Sequence, residues 1–354
     1  AYSSQLDTSG NENTGVLHEF IDPASRKNIY KFKNIVPRDD QKPVLEYKSG
    51  KLAVPAVPGA GKTTIMQALI IELIKRGTTP GEILVLTYME SAARNFLDRI
   101  KKACPGLSEL PHISTIHGLA YKLIQDGNNY SRLGLDAGFT ICDDTQRPQI
   151  IRDICLKYLP FGEDEKKWYE MNAVALSRAK IARVTPEMIQ EYLQDNDDQQ
   201  LQEFLPVYKE YIKTLNQRNM MDYDDLLVNA TRLLQENEDI REYYQNKFKF
   251  VIEDEAQDSS SIQQEFISIL SAKYGNLIRC GDVNQAITTT FSNADVRGFK
   301  DFINKYPKVE MQSSQRCAKD IYELANYLID WSMQYNHTKN AFYDIKMQPV
   351  EGGN

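Results

Sequence analysis

Leu52-Ala53-Val54-Pro55-Ala56-Val57-Pro58-Gly59-Ala60-Gly61-Lys62-Thr63-Thr64 is the stretch on which the fold turns. An apolar run of strand type passes into a glycine-rich turn and then into residues 63–76 at helical period. The turn approaches the pattern G-x-x-x-x-G-K-[ST]. Gly59 and Gly61 let backbone N–H groups converge on phosphate oxygens with no Cβ in the way. Pro58, Ala60 and Thr64 fill out the cradle. Lys62 is placed to reach the β- and γ-phosphates, and the Thr63 hydroxyl to ligate Mg²⁺. The helix that starts near Lys62 adds its positive dipole end beneath the anion. Two residues depart from the pattern: Ala56 stands in place of the first glycine, and Pro55 lies in a strand. Proline donates no ladder hydrogen bond, so Pro55 is expected near the end of pairing. The plainer reading of the same residues is an ordinary turn between a strand and a helix.

Outward from this loop, residues 83–86 form a second buried-strand candidate followed by helical residues 90–102, and 248–252 and 277–280 repeat the scheme. Strands alternating with helices of this length predict an α/β fold, a parallel sheet flanked by helices on both faces. Between about 125 and 220 the β-type runs nearly vanish. Helices are expected there over 147–158, 165–182, 186–194 and 199–216, with Pro206 placed to split the last. This predicts a helical insertion subdomain within the α/β domain. Residues 1–35 have no clear period and read as an irregular N-terminal extension. The first residue, Ala1, suggests a processed or partial start.

Phe250-Val251-Ile252-Glu253-Asp254-Glu255-Ala256-Gln257-Asp258 is a β-run that ends in carboxylates. A strand stopping at Asp254 can hold the Mg²⁺ coordination shell beside the phosphate loop, and Glu255 can orient or deprotonate an attacking water. Neighbouring carboxylates repel unless a cation sits among them. The segment also reads as a helix start, with Asp258-Ser259-Ser260-Ser261 as the cap and Asp258 closer to structural.

Composition bounds the rest. The 354 residues suit about two domains, or one with a large insertion. With 42 Lys+Arg against 49 Asp+Glu the net charge is −7, which excludes a globally basic nucleic-acid binder and confines any such contact to a local groove. No apolar run approaches the ~18–20 residues of a membrane span. Five scattered cysteines read as free thiols in a reducing, cytoplasmic compartment and not as a disulfide frame or zinc site, and the four dispersed histidines also speak against a metal site.

With the two motifs in place, residues 36–330 resemble the UvrD/Rep/PcrA class of superfamily 1 DNA helicases. Gln41 matches the glutamine that reads the adenine edge. Leu86-Thr87-Tyr88-Met89-Glu90-Ser91-Ala92-Ala93 and Ser114-Thr115-Ile116-His117-Gly118-Leu119 resemble segments that touch single-stranded DNA. Met221-Asp222-Tyr223-Asp224-Asp225-Leu226-Leu227 is close to D-F-D-D-L-L, and by itself reads as a capped amphipathic helix start. Gly281-Asp282-Val283-Asn284-Gln285-Ala286-Ile287 matches G-D-x-x-Q-x-I, with Gln285 as the γ-phosphate sensor. Ser313-Ser314-Gln315-Arg316-Cys317 resembles N-Y-R-S, whose arginine neutralises charge in phosphoryl transfer.

The resemblance implies a RecA-like P-loop NTPase fold using ATP and Mg²⁺. The motor domain is expected over 36–124 and 221–316, the insertion over 125–220, and the start of a second motor domain over 317–354. It implies catalytic roles for Lys62, Asp254, Glu255, Gln285 and Arg316, and DNA contacts for Thr87, Tyr88, His117 and Phe291. Partners would be single-stranded DNA or a duplex junction, with 3′-to-5′ translocation in repair or replication beside proteins of those pathways, near the nucleoid if the source is bacterial. The sequence departs from the pattern at Gln315, where relatives carry an adenine-stacking tyrosine, and at Thr288-Thr289-Thr290-Phe291, where aromatics are usual. Loss of an aromatic platform removes ~1–3 kcal/mol of base stacking. A P-loop kinase or GTPase is the rival enzyme reading, against which stands the lack of N-K-x-D. A weak or inactive helicase-like protein that binds DNA or docks a partner is the non-enzymatic one.

Overall fold

The computed structural model describes residues 36–143, 145–285, 295–335, 337–338 and 341–350. After a one-turn helix α1 (Lys42–Leu45), strand β1 (Lys51–Pro55) leads through the glycine-rich loop into α2 (Lys62–Lys75). Then follow β2 (Ile83–Thr87), α3 (Glu90–Ala103), β3 (His112–Thr115) and α4 (Ile116–Gln125). Strand β4 (Thr140–Cys142), helices α5 (Gln146–Lys157), α6 (Glu165–Ile181), α7 (Pro186–Asp195) and α8 (Gln199–Gln217), and β5 (Met220–Asp222) come next. The chain returns through α9 (Tyr223–Glu236) and α10 (Glu238–Lys247) to β6 (Phe250–Glu253), α11 (Ser261–Ser271) and β7 (Leu277–Gly281). Helix α12 (Val296–Lys305), the short β8 (Ser313–Ser314), α13 (Lys319–Met333) and β9 (Gln348–Pro349) complete it.

The central sheet has the order β1-β7-β6-β2-β3, and every pairing is parallel. Side chains alternate between its faces with the strand period of two. Leu84 and Leu86 of β2, with Val251 of β6, join the apolar cluster under α4, α9 and α11. Ile83 and Val85, with Ile252 and Ile278, join the cluster under α2 and α3. All five residues of β2 are buried, as expected of a strand covered on both sides. The α/β architecture expected from the sequence is therefore present.

Pro55 closes β1, as its missing donor requires. Along the other edge of β1, Ala53 N–H donates to Pro307, Val309 to Ala53, Met311 to Pro55 and Val57 to Met311. The one donor absent from this alternation is that of Pro55. It falls on the irregular 307–311 side, while the β7 side keeps its register to Gly281.

The helices α5–α8 pack on a cluster of their own that includes Trp168, Leu176, Tyr208 and Tyr211. Three details differ from the sequence reading. Strands β4 and β5 pair in parallel at the base of this helical region, where no strand was expected. Pro206 lies inside an unbroken α8 rather than splitting it. Phe248 ends α10, and the strand starts only at Phe250. Strand β3 was read only as part of a motif, because His112-Ile113-Ser114-Thr115 is an edge strand with no residue fully buried. Among the described residues no helix is long and apolar enough to cross a membrane.

Candidate nucleotide site

In a parallel sheet the strands all end on one side, and the loops beyond those ends share one crevice. Here that crevice collects the phosphate loop after β1, Thr87-Tyr88 after β2, His117 in the first turn of α4 after β3, Asp254-Glu255 after β6 and Asp282–Gln285 after β7.

The phosphate loop has the backbone its glycines permit. Gly59 and Gly61 lie in the left-handed region at φ +76° and +82°, and Gly61 immediately precedes α2. A Cβ on Gly59 would come within 2.5 Å of the Arg316 Cβ and 2.9 Å of Ser314 Oγ, so the segment after β8 presses directly on the loop. Ser314 Oγ donates to the Pro58 carbonyl at 2.7 Å, and Gln315 N–H donates to the Gly59 carbonyl. Gln41, almost fully buried, donates through Nε2 to the Ala60 carbonyl at 2.9 Å, and Arg38 reaches the same carbonyl at 2.6 Å. Gln41 thus spends one of its two amide N–H donors on the loop backbone in this structure. Lys62, Thr63 and Thr64 form the first turn of α2 and are partly exposed to the crevice.

Three acids in a row after β6 have three environments. Glu253 is buried beneath the site against Arg279 and the Ser259 hydroxyl, so its charge is neutralised internally. Asp254 is buried with no such partner. Burial first, and then neighbouring Glu255, push its carboxyl up to about 7 against the pull of Lys62. Glu255 faces outward, 3.8 Å from Lys62 Nζ. It occupies the left-handed region at φ +55°, which costs a non-glycine residue roughly 1–2 kcal/mol. Its N–H donates to Asp254 Oδ1 at 3.1 Å. The next helix is capped by Ser260 in a capping box with Gln263, so Asp258 is not the cap the sequence suggested.

Asp282, after β7, is also buried. Burial raises its carboxyl to about 6, Lys62 opposes the shift, and its Oδ2 has no hydrogen-bond partner. A pair of buried carboxylates whose nearest cation is one lysine favours a further cation. Among the described residues no group of three or more His, Cys, Asp or Glu is arranged to hold a metal alone. A cation here would take further ligands from water or a bound anion.

The structure brings together Lys62, Asp254, Glu255 and, against the loop backbone, Gln41 and Arg316. Gln285 follows Asp282 on the same side, its N–H bonded to the Asp282 carbonyl, with its side chain exposed. Arg316 is exposed, and among the described residues its guanidinium makes no ion pair. Thr87 is buried and donates to the Met89 carbonyl at 3.1 Å, leaving Tyr88 exposed beside it. His117 is half-buried, its ring edge-on to Tyr223 at 5.9 Å, and burial lowers its pKa. Phe291 lies outside the described residues. Sequence reasoning gave no role to Arg38, nor to Gln257 and Ser314 within the segments it quoted, and it placed Asp282 only as part of the loop that resembles G-D-x-x-Q-x-I.

Residues 38–307 match the model of the UvrD/REP helicase N-terminal domain. The chain belongs to that family. Its relatives include the ATP-dependent DNA helicase PcrA of Staphylococcus aureus, 27% identical over 327 residues, covering 88% of this chain and 44% of the relative. The PcrA of Staphylococcus epidermidis is 28% identical over 296 residues, covering 82% and 39%. The chain thus spans less than half the length of the curated relatives it matches. The five-stranded parallel sheet with flanking helices is the fold expected of this helicase family.

Proposed function

We propose that this chain is the ATP-binding and ATP-hydrolysing first motor lobe of a helicase that moves on single-stranded DNA inside the cell, in repair or replication. In this reading residues 36–124 and 221–316 form the lobe, 125–220 the insertion and 317–354 the start of a second lobe. The observation that carries it is the pair of buried, cation-poor carboxylates, Asp254 and Asp282, at strand ends flanking the phosphate loop. Lys62, Gly59–Thr64 and the start of α2 hold the triphosphate. Thr63 and Asp254 hold Mg²⁺, which neutralises charge on the phosphates. Glu255 orients and deprotonates the attacking water once Lys62 turns to the phosphates, and Gln285 and Arg316 reach the γ-phosphate. Gln41 reads the adenine edge, at the cost of its present bond to Ala60. Tyr88 and His117, with Thr87, form the DNA side of the crevice, the exposed Tyr88 serving as a stacking surface, and Phe291 is a further DNA contact in this reading.

Titration with a fluorescent ATP analogue and Mg²⁺, followed by single-turnover hydrolysis with and without oligo-dT, tests the reading. Lys62→Ala should weaken nucleotide binding by at least ~100-fold, since it removes the charge on the phosphates. Glu255→Gln should leave binding within about threefold and slow hydrolysis ~10²–10⁴-fold, the usual contribution of a general base. Tight DNA binding with no nucleotide binding in the unaltered chain would instead support a helicase-like docking protein.

A further inference from the structure

Gln257 lies two residues past Glu255, in the middle of a short 3-10 turn over 256–258, and is almost fully buried. Its side chain makes opposite hydrogen bonds at its two ends. Nε2 donates to Glu255 Oε2 at 2.9 Å and to Asp258 Oδ2 at 3.3 Å. Oε1 accepts from the backbone N–H of Asp282 at 2.9 Å. One planar amide thus joins the exposed carboxylate after β6 to the main chain of the loop after β7.

The surroundings are built to keep it there. Gly281, next to Asp282, has no Cβ at the one point where a Cβ would collide with Gln257 Oε1. The same atom would meet the Ala256 N–H at 3.0 Å, so any larger residue at 281 would push the loop off the amide. The loop is also held on its far side, where Asn284 Nδ2 donates to the Tyr343 carbonyl and Tyr343 N–H donates to Asn284 Oδ1. Its position is therefore set by two anchors, one of which is a side chain that also holds Glu255. Glu255, in its strained backbone conformation, is in turn oriented by that amide and by Lys62.

We propose that Gln257 is a positioning residue that couples Glu255 to the Asp282–Gln285 loop. A shift of Glu255 as Lys62 turns to a bound phosphate is transmitted through the amide to the Asp282 main chain, and any shift of the loop is returned to Glu255. Coupling of this kind is reciprocal, because both groups bias one shared element. The inference rests on the nucleotide reading above, since it needs a phosphate near Lys62.

Hydrogen exchange of the peptide covering 281–285, in the full chain with and without Mg²⁺ and a non-hydrolysable ATP analogue, tests it. Binding is measured in parallel by displacement of a fluorescent nucleotide. In the unaltered chain, nucleotide should change exchange at 281–285 at least ~3-fold. Gln257→Ala should bind nucleotide within about threefold of the unaltered chain and show faster exchange of Asp282 with no response to nucleotide. Glu255→Ala removes the carboxylate that Gln257 Nε2 holds and keeps the bond from Asp282 N–H to Gln257 Oε1. It should match the unaltered exchange without nucleotide and still fail to respond, an outcome that unfolding or simple loosening would not produce. A normal nucleotide response in Gln257→Ala or Glu255→Ala, with binding retained, overturns the coupling and leaves the nucleotide site standing. Failure of the unaltered chain to bind nucleotide overturns both.

Discussion

Among the described residues two clusters of buried acids contrast in how many cations and hydrogen-bond donors they hold. At the junction between α6, α8 and the start of α9, Asp222 is fully buried with Lys180 Nζ at 2.8 Å, Tyr211 Oη at 2.7 Å and Arg147 at 3.6 Å. Lys180 also holds Asp225 at 2.6 Å, and Arg147 holds Asp224 at 3.0 Å. At the phosphate loop, Asp254 and Asp282 are equally enclosed and share only Lys62. In the first cluster burial raises Asp224 and pushes Asp225 up to about 6. Only Asp222, at its centre, is held below the usual carboxylate range by Lys180 in spite of burial. At the phosphate loop both Asp254 and Asp282 are raised. The first cluster is closed and its role is cohesion between the helical region and the sheet domain. In the second, Lys62 alone opposes the cost of burying Asp254 and Asp282.

The largest effect that would break this comparison is expected at Lys180. Lys180→Met keeps the chain length and removes one of the cluster's two cations, which leaves Arg147 alone against Asp222, Asp224 and Asp225. Removing one partner of a buried ion pair costs about 3–5 kcal/mol. Urea denaturation should show that loss. A loss under about 1 kcal/mol would mean that the junction is not held by Lys180.

Asp254→Asn should act in the opposite direction, by about 1–3 kcal/mol, in EDTA without nucleotide. An acid whose folded pKa is raised from 3.8 to about 7 binds its proton more tightly in the native state. The native chain then holds more protons than the unfolded one between about pH 4 and 7, so this residue's contribution to stability falls as pH rises through that window. The asparagine variant should be more stable than the unaltered chain at pH 8 and lose most of that advantage by pH 5. It should also lose Mg²⁺-dependent nucleotide binding, a trade of function for stability. Equal urea midpoints at pH 8 would show that Asp254 already has a cation partner.

The cluster at the phosphate loop was far more legible in the sequence than the one at the junction. Phosphate binding dictates residue types at fixed local spacing, so Gly59, Gly61, Lys62 and Asp254 announced themselves within two short segments. The strands β2, β6 and β7 were visible as apolar runs because both faces of the sheet are covered. Edge strand β3 and the three-residue pair β4 and β5 carry no such run. Arg38, Gln257 and Ser314 were invisible for another reason: their partners lie 22, 25 and 256 residues away, and no local pattern encodes such pairings. The segment Met221–Leu227 was read correctly as a helix start, with Asp222 accepting from Asp225 N–H. Its pairing with Lys180, 42 residues upstream, could not be seen from that pattern.

The smallest effect, and the one that sharpens the comparison most, is expected at Ser177. Its hydroxyl donates to Asp224 Oδ2 at 2.9 Å and accepts from Arg147 at 2.7 Å, bridging a pair that is already in direct contact at 3.0 Å. Ser177→Ala removes the bridge and leaves both charges in place, so it should cost about 1 kcal/mol, the net worth of a typical hydrogen bond. Asp224 is already pushed up by burial and by Asp222, and losing the hydroxyl should raise it further. The deficit should therefore widen as pH rises from 5 to 8. In the double variant with Lys180→Met the two losses should fail to add, since both act on one charge network. A deficit from Ser177→Ala as large as that from Lys180→Met would show that hydrogen bonds, and not the resident cations, keep the junction closed. The contrast with the phosphate loop would then rest on geometry alone.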